Sequence, residues 1–287
     1  MKNKTLNIII VVMFLVGLSV LLYPAISEYI NSKHASRVIA EYSDAVSNAG
    51  EDRIESIFAD AQAYNKRLAE TEGAFYTPRL VSGYDDTLNL TGSGVMGSIS
   101  IEKIKVELPI YHSVDKSVLQ IGVGHLEGSS LPIGGSGSHC VLSGHRGLPS
   151  ARLFTDLDEL EIGDQFTVTV LNRKMTYRID QIKVIRPTET EDLQIVKGKD
   201  YCTLITCTPY GINTHRLIVR GVRVESADEK PGIFIANEAF QIDPLIVTPV
   251  AALPMLLILL IIIFAGGRKK RKAIPEAAGK EKPDPNE

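Results

Sequence analysis

Three side chains in this sequence have the types and local settings that acyl transfer needs. Cys207 lies in Thr203-Leu204-Ile205-Thr206-Cys207-Thr208-Pro209-Tyr210, and Arg216 follows in His215-Arg216-Leu217. The pattern reads as a β-strand that carries a thiol to its end, a turn, and a second strand opening with an arginine. A thiol can act as the nucleophile, and a fixed guanidinium can hold the charge of a tetrahedral oxyanion. An unperturbed thiol is only a few per cent thiolate at neutral pH, so Cys207 also needs a base or an electrostatic partner. His145 is placed for that role, in Leu142-Ser143-Gly144-His145-Arg146-Gly147, where an apolar strand ends in a glycine-flanked turn. Glycine permits tight turning and close backbone approach.

The residues alone leave two of these roles open. A lone histidine in a turn is more often structural than catalytic. Arg216 reads equally well as one half of a rim salt bridge, with Arg146, Arg220 and Arg223 as rival arginines. Among the other histidines, His34 lies in a helical stretch and reads as solvated. His112, His125 and His139 sit at or beside strands, and His215 suits a turn cap.

The elements that must position this chemistry follow from periodicity. From Val95 onward the pattern has period two, with candidate strands at 98–101, 105–111, 139–143, 165–171, 175–184, 201–207 and 217–224. Phe166, Val168 and Val170 alternate with Gln165, Thr167 and Thr169, as on a half-buried sheet. Seven or eight short strands predict a mainly β fold closed into a barrel, over 95–226. Short helices are expected at 117–121 and near 150–157. Upstream, 25–70 reads as two helices broken at Ser47-Asn48-Ala49-Gly50. The second has one apolar face of Ile54, Ile57, Phe58, Ala61, Tyr64 and Leu68. Residues 71–94 lack periodicity and read as a long linker or a lid; loops of that length include both kinds.

The two ends are apolar. The first run, 6–24, is uncharged and follows Lys2 and Lys4; no small-x-small cleavage pattern sits after Tyr23. It reads as a retained membrane anchor rather than a cleaved signal peptide. The second run, 244–267, is followed at once by Arg268-Lys269-Lys270-Arg271-Lys272, which the positive-inside rule keeps in the cytoplasm. Together they predict residues 1–5 and 268–287 inside, two transmembrane helices flanking the barrel, and residues 25–243 outside, with 227–243 as a linker. The tail is rich in Pro, Glu and Lys, a composition that predicts disorder.

Composition narrows the class further. The 287 residues carry a net charge of −3 without a basic stripe, which argues against nucleic acid as a partner. Of the three cysteines, Cys202 and Cys207 lie five apart on one predicted strand and so face opposite ways. Cys140 reads as buried. No Cys-x-x-Cys pair suggests a structural zinc, and no cofactor is expected.

The sequence resembles the sortases, the cysteine transpeptidases of Gram-positive cell surfaces, and within them the pilus-assembly type called class C. The resemblance rests on Thr-Leu-x-Thr-Cys with Arg216 nine residues on, and on Gly144-His145-Arg146-Gly147-Leu148-Pro149-Ser150. It also rests on Gly94-Val95-Met96-Gly97-Ser98-Ile99, on Leu108-Pro109-Ile110-Tyr111-His112, and on the stretch from Gly122 to Pro132. It covers about residues 50–225, and a C-terminal membrane span is typical of that class. The resemblance implies an eight-stranded sortase barrel and a His145, Cys207, Arg216 site. It implies a substrate as well: a pilin precursor with a Leu-Pro-x-Thr-Gly-like sorting signal, whose acyl group passes to a pilin lysine amine. Two alternatives remain at this stage, a sortase that anchors proteins to cell-wall peptide and a membrane-tethered scaffold with an inert thiol.

Class C sortases commonly have a lid with an Asp-Pro-aromatic motif. Residues 73–86 lack that tripeptide but contain Phe75, Tyr76 and Tyr84, aromatics able to enter an apolar groove. Asp85 and Asp86 are candidate partners for Arg216. The expectation is a mobile flap over Cys207 formed by 71–94.

Overall fold

In a computed structural model that describes residues 2–225, the chain opens with α1, Lys2–Asn48, a single helix of 47 residues. The expected membrane helix and the first external helix are therefore continuous. Pro24 is the one proline inside, and it removes a single backbone donor while the good helix formers on both sides carry the helix past it. Along the apolar run Ile9, Ile10, Val12, Leu15, Val16, Val20 and Leu21 are all exposed. A helix that is apolar all round and unburied by protein fits a bilayer, and residues 6–23 span about 27 Å at 1.5 Å per residue, close to a hydrocarbon core. The second apolar run, the linker 227–243 and the basic tail lie outside the described residues.

Beyond the membrane segment α1 packs on the barrel through Ala35, Ile39 and Tyr42, spaced to share one face. The Tyr42 hydroxyl donates to the Met96 carbonyl (2.8 Å) and accepts from the Leu171 amide (3.0 Å), which fixes the helix against two strands. The predicted break falls at Gly50, whose φ of 78° favours glycine. Then α2, Glu51–Glu70, begins with Glu51 and Asp52, which suit the positive end of a helix dipole, and buries Ile54, Phe58, Ala61, Tyr64 and Leu68.

Eight strands form the closed barrel: β1 Val95–Ile101, β2 Val106–Tyr111, β3 Val123–His125, β4 Ser138–Ser143, β5 Gln165–Val170, β6 Arg173–Ile185, β7 Asp200–Thr208 and β8 His215–Val224. Their spatial order is β1-β2-β3-β4-β7-β8-β6-β5, and β5 pairs back to β1 through Ser98↔Thr169. Most strands match the periodicity reading to within three residues. The unpredicted one, β3, is three residues long and glycine-interrupted, too short for an alternation to show. A short helix, α3 Lys116–Leu119, falls where one was expected. The second expected short helix, near 150–157, is absent. That loop buries Ala151, Leu153 and Phe154, whose spacing is not helical, and Leu153 has a φ of 42°. Only the 3-10 turn Leu157–Glu159 closes it.

The interior holds the inward residues of every strand. In β5 Phe166, Val168 and Val170 point in, as the alternation requires. Cys140 and Cys202 are partners in the parallel pairing of β4 with β7, and both are free thiols within the core.

Candidate active site

Antiparallel β7 and β8 place Cys207 directly opposite Arg216. Cα atoms of such pairs lie about 4.5–5.5 Å apart and their side chains share a face. That face is the outer one. Leu204 and Thr206 point inward, while Ile205 and Cys207 point out, and Cys207 is half-buried. Arg216 Nη1 donates to the Asn213 carbonyl (3.2 Å) and the His215 carbonyl (3.0 Å), so the turn between the strands holds the guanidinium.

His145 reaches the same place from β4. The β4–β7 pairing runs parallel to Ser143↔Ile205 and is prolonged by two bonds. The Gly144 amide donates to the Ile205 carbonyl (3.1 Å), and the Thr206 hydroxyl donates to the Gly144 carbonyl (2.8 Å). The residue after Gly144 therefore emerges beside the residue after Thr206, that is, beside Cys207. Gly144 admits no side chain, because a Cβ there would lie 2.6 Å from the buried Phe154 ring. The Phe154 amide in turn donates to the His145 carbonyl (3.0 Å). Burial lowers the pKa of the His145 imidazole below its ordinary 6.5 by penalising the charged form. Among the described residues no hydrogen bond links His145 to Cys207; such bonds are often long in enzymes without substrate.

The rival histidines have structural employment. His125 is fully buried: its Nε2–H donates to the Ser130 carbonyl (2.8 Å), and Nδ1 accepts from the Tyr84 hydroxyl (2.9 Å). His139 donates through Nδ1 to the Gln194 carbonyl (2.8 Å) and accepts from the Thr203 hydroxyl (2.7 Å). Burial lowers both imidazoles to about 4. His112 lies between the carbonyls of Gly94 and Thr87. His215 bonds the neighbouring Thr214 hydroxyl. Two rival arginines are in ion pairs, Arg146 with Asp158 and Arg220 with Asp180, and Arg223 lies over the Tyr177 ring.

The segment 71–94 is not one flap. Its first part crosses the outer face beside the site. Phe75 packs against the cluster of Val141, Ile185, Leu193 and Ile218, and Ile205 packs against the same cluster. Ile205 and Ile218 stand two residues from Cys207 and Arg216 on the same face of the same strands. Tyr76 is 68% exposed and bonds the Thr190 hydroxyl (3.1 Å) and Gln194 Nε2 (3.3 Å). The second part belongs to the core. Val81, Tyr84 and Leu88 are buried, and the Tyr84 hydroxyl also accepts from the Ser113 amide (3.0 Å). Tyr84 therefore enters no groove. Asp85 and Asp86 are exposed and are not partners of Arg216 among the described residues. Aperiodic sequence was a poor guide here, because three apolar side chains can anchor a loop without any repeat.

Local sequence hid other supporting residues. Thr206 lies inside the motif but its bond to Gly144 is visible only after strand pairing. Tyr210 covers Gly147, whose φ of 74° and lack of Cβ allow the ring to lie 2.6 Å from the Cβ position.

Comparison with known proteins assigns the barrel to a family. A sortase-domain profile matches residues 99–224, the barrel from β1 to the end of β8. The sequence is 34% identical over 131 residues to Sortase D of Bacillus subtilis (strain 168), covering 45% of this chain and 63% of that protein, slightly under two thirds of its length. Sortase C1 of Streptococcus agalactiae superposes with a TM-score of 0.61 at 50% identity, over 66% of this chain and 99% of that structure. Sortase C of Streptococcus pneumoniae, whose structure bears on catalysis and pilin substrate specificity, gives 0.60 at 39% identity, over 66% and 97%. Half of the aligned residues are thus shared with a sortase along nearly the whole of its solved structure, and the chain belongs to the sortase family of cysteine transpeptidases, with class C members as its structural relatives.

Proposed function

We propose that this membrane-anchored transpeptidase cleaves a Leu-Pro-x-Thr-Gly-like sorting signal in a pilin precursor and joins the acyl product to a lysine of another pilin. The observation that carries the reading is the facing pair Cys207 and Arg216, with the end of β4 delivering His145 beside it. Cys207 attacks as thiolate on the carbonyl carbon of the Thr–Gly bond. Negative charge develops on the carbonyl oxygen, where the Arg216 fork can donate to it. His145 gives its proton to the departing glycine amine as the C–N bond breaks, leaving a thioacyl enzyme. Burial makes this imidazolium the stronger acid and eases the transfer. The lysine amine then attacks the thioester, His145 removes a proton from it, and collapse forms an isopeptide bond and frees the Cys207 thiolate.

In the same reading, Phe75 and its neighbours act as a lid that occupies the apolar face a sorting signal would use. The supporting observation is that Phe75 packs against the cluster containing Ile218, on which Ile205 also packs. The exposed apolar helix supports anchoring, and the basic run 268–272 supports two spans with both termini inside.

The test uses the full-length chain in membranes with a pilin precursor. A detergent-resistant covalent ladder is expected, and Cys207→Ala is expected to abolish it. A ladder that persists in Cys207→Ala overturns the assignment. Pilin joined only to cell-wall peptide, as single units, would replace polymerisation by anchoring.

A further inference from the structure

The loop that carries His145 is held from two sides. From the barrel side, the Phe154 amide donates to the His145 carbonyl (3.0 Å) and the Gly147 amide donates to the Thr155 hydroxyl (3.1 Å). A Leu148↔Ala151 bridge pinches the loop, and Ala151, Leu153 and Phe154 are buried beneath it. The other side is α1. Asn31 Nδ2 donates to the Ser150 carbonyl (2.6 Å), and the Arg152 amide donates to Glu28 Oε2 (2.6 Å). Residues 28 and 31 are three apart and so lie on one face of the helix. The two bonds catch the loop on both sides of Ala151, over a sequence separation of 119 and 124 residues.

The position of this clamp along α1 matters. Glu28 lies about 8 Å along the helix from Tyr23, the end of the apolar run, at 1.5 Å per residue. The helix is unbroken between the two. A clamp on such a helix ties the histidine's loop to the segment suited to the bilayer, and it sets the site within a few helical turns of the lipid surface.

We infer that Glu28 and Asn31 are positioning residues for His145, through which the membrane-spanning helix braces the active-site loop. The inference rests on the proposed acid–base role of His145, but the brace itself has a readout independent of activity. With the Ser150 carbonyl and the Arg152 amide released, the loop loses two of its bonds, and its amides open more often.

The experiment uses the full-length chain in phospholipid vesicles, comparing wild type with Glu28→Ala, Asn31→Asp and Glu28→Gln. Asn31→Asp keeps the shape of asparagine but loses the donor; Glu28→Gln keeps an accepting oxygen. Hydrogen exchange of residues 146–155 is expected to rise roughly threefold to tenfold in Glu28→Ala and Asn31→Asp. The rate kcat on a sorting-signal peptide is expected to fall by a similar factor, with KM changing less than twofold. Glu28→Gln is expected to stay near wild type in both. Unchanged exchange in Glu28→Ala and Asn31→Asp overturns the inference whatever the activity does, and so does a rise that extends through β5 and β6, which would reflect general loosening. A looser loop in a protein whose wild type cleaves no sorting peptide would uphold the brace and overturn the proposed function.

Discussion

Replacing Phe75 with Ala is expected to raise the alkylation rate of Cys207 by roughly 5- to 30-fold. Full burial of a phenylalanine side chain contributes about 1.5–3 kcal/mol. Phe75 is only half-buried against the cluster of Val141, Ile185, Leu193 and Ile218, so about 1–2 kcal/mol is at stake. At about 1.4 kcal/mol per factor of ten, that loss raises the open fraction of the segment 5- to 30-fold. Opening of a short loop is fast compared with alkylation, so the labelling rate scales with the open fraction. The assay is the rate of iodoacetamide incorporation at Cys207, followed by mass spectrometry, with Cys140 and Cys202 as buried internal references. Tyr76→Phe removes only an exposed hydroxyl with two polar partners, and a change below about threefold is expected. Phe75→Ala is a cleaner perturbation than removing 73–86, because that deletion would also take away the buried Val81 and Tyr84. An unchanged labelling rate in Phe75→Ala would refute the reasoning: the thiol would then be open already, and Phe75 would be packing without gating.

Three further outcomes are expected. His145→Ala and Arg216→Ala should each lower kcat/KM by at least about 100-fold, and Arg216→Lys should be nearly as poor because a point charge cannot copy the planar fork; His215→Ala should cost far less, and equal losses at His145 and His215 would leave the choice of histidine unsupported. Cys140→Ala and Cys202→Ala should retain transpeptidation while lowering Tm, since both thiols fill the core; loss of activity in a variant whose Tm is unchanged would contradict their structural role. Stability should fall on acidification from pH 7.5 to 5. His125 and His139 have folded pKa values near 4 against an ordinary 6.5, so the unfolded chain binds more protons in that window, and each neutral imidazole's contribution is lost as pH falls, by up to about 2 kcal/mol at pH 5. A flat Tm over that range, read by circular dichroism, would contradict the two buried imidazoles.

Much of the architecture was legible from local pattern. The apolar run, the one-sided α2 and the alternating β5 each follow from periodicity, because a helix or strand that buries one face must repeat along the chain. Cys207 and Arg216 were legible as a strand-end thiol and a strand-opening guanidinium. Their exact opposition was not, since it depends on the register of β7 against β8. His145 was one of six histidines by composition; what distinguishes it is that Gly144 is bonded to both Ile205 and Thr206, across some 60 residues of chain. The other histidines lost their candidacy through buried partners equally distant in sequence. Residues 71–94 read as a single flap in sequence because no repeat betrays that Val81, Tyr84 and Leu88 are core residues while Phe75 lies on the outer face. The bonds from Glu28 and Asn31 to the histidine's loop have no sequence signal at all. Periodicity records which face of an element meets apolar surroundings. Which element it meets is settled by barrel closure, where hydrogen bonds between distant segments form together or not at all.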